Sequence, residues 1–338
     1  MKIQSLSIHV PTNGCVNNCM GCVSRMHRSP YKNRINYITY PIISKEIEFI
    51  KKEYLRKLHF TKENGVNNII LTGIGEPLQN KDFLKWFGKL GLFRWIELQT
   101  AGNMLLDESL FDKKTGKEFE VYSNLEFLQD IGVSTISLSL WDMFDSQNND
   151  RIVQMPVMHG KFIDKVCKAI KDHNFNLRLS LNMTDVYNNK TAEEIFARVK
   201  ELGADQVTFR KLYKSPEGNT KQDKWIDENT KHTFEIFNRL DDYILGEFKE
   251  TIVGQSHNSL GGSYETIRFA REDGNGKFLG VLPFGTKKYS VNGITTVIDD
   301  NCMDDATKRE NLDTYKYLIL RPNCKLYSNW DDPGSLIF

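Results

Sequence analysis

The chain has 338 residues, enough to bury a large core, and at roughly one domain per 150 residues it reads as one large domain with an appendage. Lys plus Arg number 45 against 44 Asp plus Glu, so no net field draws the molecule to nucleic acid or to an anionic membrane. The opening MKIQSLSIHVP lacks the apolar core and cleavage site of a secretory signal, and no run of about 18 apolar residues is present to span a bilayer. The expected compartment is the cytoplasm, where thiols stay reduced, so clustered cysteines point to a metal or to catalysis before disulfides.

Hydrophobic period predicts strand 3–10, helix 43–62, strand 66–73, helix 80–90, strand 94–101, helix 123–131 and strand 133–141. The series continues with helix 160–173, strand 176–184, helix 191–202, strand 205–213 and a last helix over 224–248. Strands that alternate with helices are joined by right-handed crossovers and lie parallel. The expected fold is α/β, a partial (β/α)6 TIM-like barrel over residues 1–250. Beyond it the texture changes to turn signals, DGNG at 273–276 and Asn292-Gly293, with a helical period only over 304–313. Residues 251–338 are therefore expected to form a small, mainly antiparallel β extension over the barrel opening. Its "YKYLILRPNCKLYSNW" has the pattern of a hairpin, with Tyr317, Ile319, Tyr327 and Trp330 available to pack.

Parity marks two strands as unusual. In "STISLSLW" Ile136, Leu138 and Leu140 share one face, and Ser137, Ser139 and Trp141 the other. In "NLRLSLNMT" Leu177, Leu179, Leu181 and Met183 alternate with Arg178, Ser180, Asn182 and Thr184. Barrel strands are usually apolar on both faces. Buried polar groups need partners, so one reading is an interior that holds a polar ligand. The other is an open sheet edge whose polar face is wet.

Directly after the first strand, "GCVNNCMGC" at residues 14–22 brings together Cys15, Cys19 and Cys22. That position is the carboxyl end of a strand, where barrels of this kind keep their active sites. A structural zinc site wants four ligands, and the nearby candidates for a fourth are His9 and His27. An iron–sulfur cube normally takes four thiolates, so three leave one iron open, as a catalytic metal centre requires.

The spacing CxxxCxxC resembles the cluster-binding loop of the radical S-adenosylmethionine (radical SAM) superfamily. After the second strand, "LTGIGEPLQN" at residues 71–80 resembles that family's glycine-rich GEP turn, and the order of strand, cysteine loop, helix, strand and turn agrees over about residues 3–214. Two positions depart from the family pattern: Gly21 stands where an aromatic residue often precedes the third cysteine, and Ile74 replaces a glycine. Neither is a ligand side chain.

The resemblance implies one oxygen-sensitive [4Fe–4S] cluster on Cys15, Cys19 and Cys22, with S-adenosylmethionine (SAM) bound at its open iron. One electron from the cluster then releases methionine and a 5′-deoxyadenosyl radical, which removes hydrogen from a substrate. It implies that Gly73 and Gly75 let backbone approach the SAM ammonium, with the charge of Glu76 close by. By the same resemblance Ser137, Ser139 and Asn182 hold the ribose hydroxyls and Arg210 meets the SAM carboxylate. A simple turn at the glycines and an ordinary ion pair at Arg210 are the alternatives.

A small-molecule substrate and an electron donor such as flavodoxin or ferredoxin are the expected partners, with no membrane. Action on a macromolecule, as a glycyl-radical activase or an RNA methyltransferase, is a second reading, and the neutral charge speaks against nucleic acid. A non-catalytic metal-binding scaffold is a third.

Other residues carry weaker signals. Cys167 lies on the apolar side of its helix with Phe162 and Val166, as a small hydrophobe would. Cys302 and Cys324 invite the idea of an auxiliary cluster, yet neither has a neighbouring thiol. Gln99, Thr100 and Asn103 end the third strand and are candidates to face a ligand or to make a turn. Arg25, His27 and Arg28 offer a basic stretch, to an acidic partner or simply to solvent.

Overall fold

Alternating apolar residues build the strands and three-to-four spacing builds the helices between them. A computed structural model describes residues 2–12, 14–26, 44–73, 75–112, 119–154, 162–215, 218–257, 263–282, 286–299, 314–330 and 333–338. The order is β1 (Lys2–His9), α1 (Val23–Met26), α2 (Ser44–Glu63), β2 (Asn68–Thr72), α3 (Lys81–Gly88) and β3 (Trp95–Thr100). A hairpin of β4 (Glu108–Asp112) and β5 (Phe119–Ser123) precedes α4 (Asn124–Asp130), β6 (Thr135–Leu140), α5 (Ser146–Val153), α6 (Phe162–Asp172) and β7 (Asn176–Asn182). Then come α7 (Ala192–Glu201), β8 (Gln206–Arg210), α8 (Lys221–Asn229) and α9 (Thr233–Leu245). The remainder holds β9 (Gly246–His257), β10 (Ser263–Asp273), β11 (Gly276–Val281), β12 (Lys287–Val291), β13 (Ile294–Asp299), β14 (Thr314–Leu320) and β15 (Leu326–Tyr327).

The fold is mixed α/β around one 11-stranded, parallel-dominated sheet of order β11-β12-β13-β8-β7-β6-β3-β2-β1-β14-β15. The six strands expected to be parallel are parallel neighbours in chain order, from β1 through β2, β3, β6 and β7 to β8. Within the tail, β11 with β12, β12 with β13, and β14 with β15 pair antiparallel. Two of its strands do something the sequence did not announce. β13 pairs parallel with β8 and β14 pairs parallel with β1, so the tail extends the core sheet at both edges. The expected helix at 304–313 lies outside the described residues.

The single helix expected over 224–248 is two helices followed by a strand. α8 ends where the Thr230 hydroxyl donates to the Ile226 carbonyl, and the next two amides, of Lys231 and His232, donate to the Asp185 carboxylate at 3.1 and 2.8 Å. Gly246, at φ +85° and ψ 162°, stops α9 by taking a positive-φ extended conformation that other residues adopt at a cost.

One face of the sheet packs on the helices. Leu6, Ile8, Ile69, Leu71, Leu98, Ile136, Leu138, Leu140, Leu177, Leu179, Leu181, Val207 and Phe209 belong to one core with Leu84, Val166, Ile195 and Leu240 from the helices. The opposite, inner face is polar on more strands than β6 and β7. Register aligns Gln99 with Ser137, Ser137 with Arg178, Ser139 with Ser180, and Asn182 with Arg210. On β1, Ser5, Ser7 and His9 continue the same parity and are buried. Part of this polarity is internally paired: Arg178 bonds Glu97 at 2.5 Å and donates to Gln206 at 2.8 and 2.6 Å.

Candidate functional site

The cysteine loop begins where β1 runs out of partners. Val10 still donates to the Thr72 carbonyl at 2.8 Å, then Pro11 turns the chain and its carbonyl accepts from the Asn80 amide at 2.7 Å. The loop is strapped to three separate elements. Val16 N–H donates to Gln79 Oε1 at 3.1 Å, next to the turn after β2, and Asn103, beyond β3, donates to Asn17 Oδ1 at 2.9 Å. The amides of Asn18 and Met20 donate to the carbonyls of Val153 and Ile152, at the end of α5, at 3.1 and 2.9 Å. Cys22 then turns over Cys19, and Arg25, which begins α1 with its neighbours, reaches back to the Asn17 carbonyl at 3.3 Å.

Cys15, Cys19 and Cys22 are all half-buried and unbridged. Burial pushes the Cys15 thiol up and the Cys19 thiol up to about 12; the charges of Glu76 and Cys22 raise Cys15 further, and those of Cys22 and Cys15 raise Cys19. Left alone Cys15 and Cys19 stay protonated; a bound cation is what turns such thiols into thiolate ligands. Among the described residues no group of three or more His, Cys, Asp or Glu side chains is gathered to hold a single metal ion. His9 is not drawn to the thiols as a fourth ligand: it stacks on Trp330, ring centroids 4.4 Å apart. His27 lies outside the described residues. Three soft sulfur donors, with no fourth protein ligand among the described residues, fit a [4Fe–4S] cube bound through three of its irons better than a tetrahedral zinc ion.

Gly73 and Gly75 have an immediate local reason to be glycine. A Cβ on Gly73 would stand 3.3 Å from the Val10 carbonyl oxygen, and one on Gly75 would stand 2.1 Å from Thr12 Oγ1 and 2.4 Å from the Gly14 carbonyl oxygen. The turn therefore rests directly on the strand that leads into the cysteine loop. Ile74 lies outside the described residues. Glu76 is buried and its Oε2 accepts the Ala101 amide at 3.1 Å, tying the turn to the end of β3. Burial pushes this carboxyl up to about 7, against the opposing hydrogen bonds from Thr100, Ala101 and Leu78.

Across the sheet, Asn182 donates to Ser139 Oγ at 3.1 Å. Ser137 is fully buried and its Oγ has no hydrogen-bond partner among the described residues, nor has the buried Nε of Arg210. Unmatched polar atoms on a buried face are costly in an empty protein. Asn182 and Arg210 end β7 and β8, with Ser139 next to the end of β6, at the end of the sheet from which the cysteine loop and the GEP turn also leave; Ser137 lies two residues further back on β6.

The remaining candidates separate. Thr100 and Asn103 join the site, through Glu76 and Asn17, whereas Gln99 turns to Glu97 at 3.1 Å. Cys167 is buried in the core, as its helical position implied. Cys324 sits at the turn between β14 and β15 with φ +59°, its thiol pushed up to about 12 by burial and by Glu53, next to Lys57 of α2. That is the helix side of the sheet. Cys302, His27 and Arg28 lie outside the described residues.

Gln79, Glu97, Gln206 and Trp225 escaped the sequence reading. Gln79 directly follows the GEP motif and was open to notice. The partners of the others are far away in sequence.

No family model matches the chain, and no curated protein matches it. Among solved structures it is similar to coproporphyrinogen III oxidase (HemN) from Escherichia coli, described as a radical SAM enzyme, over 86% of this chain and 67% of that one. The identity is 14% and the TM-score 0.42. No helix among the described residues is long and apolar enough to cross a membrane.

Proposed function

We propose that the chain is a radical SAM enzyme. The observation that carries this reading is a loop with three thiols and, among the described residues, no fourth ligand, docked on a glycine turn at the carboxyl end of parallel strands with an unsatisfied polar inner face. Cys15, Cys19 and Cys22 would hold one [4Fe–4S] cluster. When bound, the cluster and SAM supply a one-electron cleavage that yields a 5′-deoxyadenosyl radical for hydrogen abstraction.

The chain's own residues orient and protect. The backbone at Gly73 and Gly75 and the carboxylate of Glu76 would meet the SAM ammonium, Ser137, Ser139 and Asn182 would hold the ribose, and Arg210 would take the carboxylate. Glu76 and Gln79 keep the turn and the loop in fixed relation, which preserves the distance between the two halves of the site. β14 beside β1, with Trp330 on His9, narrows the inner face and limits access of water. A flavodoxin or ferredoxin would supply the electron in a reducing cytoplasm.

A small-molecule substrate is favoured over a macromolecule. The RNA-methylating branch that the chain would resemble uses a cysteine late in the chain, and the one described late cysteine here, Cys324, lies on the helix side against α2. Anaerobic reconstitution with iron and sulfide, followed by SAM and dithionite, is expected to release 5′-deoxyadenosine. Tight uptake of one zinc with no iron, or reconstituted protein that leaves SAM intact, overturns the reading.

A further inference from the structure

Among the described residues, the cysteine loop has an apolar cover on its Cys19 side. Cys19 and Met20 pack with Trp141, Ile152 and Val153, in a small apolar group separate from the main core, to which Leu212 and Trp225 also belong. Val23 and Met26, just past Cys22, pack with Tyr213 and Ile226, and Leu212 and Trp225 belong to that group as well. Trp225 of α8 is thus shared by the apolar surroundings of the loop and of the helix that follows it.

Gly21, between Cys19 and Cys22, is where this packing is tightest. A Cβ at Gly21 would stand 2.6 Å from Trp141 Cη2 and 3.0 Å from Trp225 Cζ3. The two indoles meet edge to face at 5.4 Å and 83°. A residue with any side chain at position 21 would displace them, so the glycine makes room for an aromatic cover that comes from elsewhere in the chain.

The cover is held firmly. Asp223, two residues before Trp225, is fully buried and accepts from Ser215 N–H at 2.7 Å, Ser215 Oγ at 2.5 Å, Thr220 N–H at 2.9 Å and Thr220 Oγ1 at 2.5 Å. A carboxylate with four donors fixes the start of α8, and with it the indole over Gly21. Cys15 has no place in either aromatic group.

We infer that Trp225, with Trp141, is a shield that keeps water and dioxygen from the Cys19 side of the metal centre. The inference rests on the cluster reading for its purpose and on the packing alone for its geometry. An apolar wall beside a metal centre controls solvent access and the local dielectric, and so the lifetime and potential of the centre.

The test has two arms. In the metal-free reduced protein, iodoacetamide is the probe and the alkylation rate of each cysteine is read by peptide mass spectrometry. Trp225→Ala is expected to raise the rate at Cys19 about tenfold, with Cys15 little changed and Trp225→Phe close to wild type. In the reconstituted protein, bleaching of the iron–sulfur absorbance in air is expected to speed up by a similar factor. Gly21→Ala, which pushes the indoles aside without removing them, should move both readouts in the same direction.

Equal acceleration at all three cysteines would mean general loosening and would overturn the shield, as would a folded Trp225→Ala protein whose Cys19 rate stays within about twofold of wild type. If Trp225→Ala does not fold, Trp225→Leu, judged by circular dichroism, carries the same comparison. Should the wild type take up no iron, the cluster reading fails, while the alkylation arm still decides whether Trp225 covers Cys19.

Discussion

Gln79 Oε1 accepts the backbone N–H of Val16 at 3.1 Å, and the same oxygen accepts the N–H of Glu76, also at 3.1 Å. One side-chain atom thus fastens the cysteine loop to the turn after β2. Gln79→Ala leaves both amides without that acceptor. Iron retained after a chelator challenge should fall about tenfold, the usual loss when a group that orients metal ligands is removed, with the fold preserved. Retention equal to wild type would show that the strap is dispensable.

Gly75→Ala tests the close approach of turn and loop. The new Cβ meets a hydroxyl and a backbone carbonyl at distances no rotamer change relieves, since the Gly14 carbonyl is main chain. The expected cost is about 1–3 kcal/mol in unfolding free energy, with iron uptake lost in step. Adding Thr12→Ala removes the hydroxyl contact and should restore only part of the stability. A melting temperature unmoved by Gly75→Ala contradicts the packing described above.

Asn182→Leu removes the donor to Ser139 and leaves that hydroxyl and its ligand partners unpaired on a buried face. SAM binding to the reconstituted protein, followed by calorimetry, should weaken by about 1–3 kcal/mol while iron content stays normal. An unchanged affinity would take Asn182 out of the SAM site.

His9 gives a pH signature. Its imidazole is buried, and burial, with the nearby Arg321 charge adding to it, lowers its pKa from 6.5 to about 3. Between these values the unfolded chain binds a proton that the folded chain refuses. The stability contribution is therefore complete above about pH 6.5 and is lost progressively as pH falls toward 3, at up to about 1.4 kcal/mol per pH unit. His9→Phe, which keeps a ring against Trp330, should lose about 2 kcal/mol less than wild type between pH 6 and pH 4 in denaturant titrations. Parallel acid limbs for the two proteins would mean that His9 titrates normally.

The tail is expected to be integral to the fold. Leu318, Leu320 and Leu326 are fully buried in the main core, and β14 is hydrogen-bonded along β1. Leu318→Ala should cost about 2–5 kcal/mol. Deleting residues 314–338 strips β1 of its outer neighbour and should prevent folding, not merely uncouple SAM cleavage from substrate turnover. A deleted protein that unfolds cooperatively near the wild-type temperature would contradict this.

What the sequence determined by itself was everything carried by neighbours along the chain. The order and parity of β1, β2, β3, β6, β7 and β8 were legible because alternation fixes which residues share a face. The cysteine loop and the GEP turn stood out as candidates because their residues lie within a few positions of one another. Tertiary structure decided the rest. The break between α8 and α9 depends on Asp185, held on another element. The edges of the six-stranded core were filled by β13 and β14, strands whose parallel partners β8 and β1 no local turn specifies. Gly21 looked like a departure from a pattern until Trp141 and Trp225 were found in its place, and His9 was a ligand candidate until Trp330, from the far end of the chain, stacked on it. Local periodicity encodes what an element is and which way it faces; which surface it meets is settled only when distant apolar and polar groups compete for the same space.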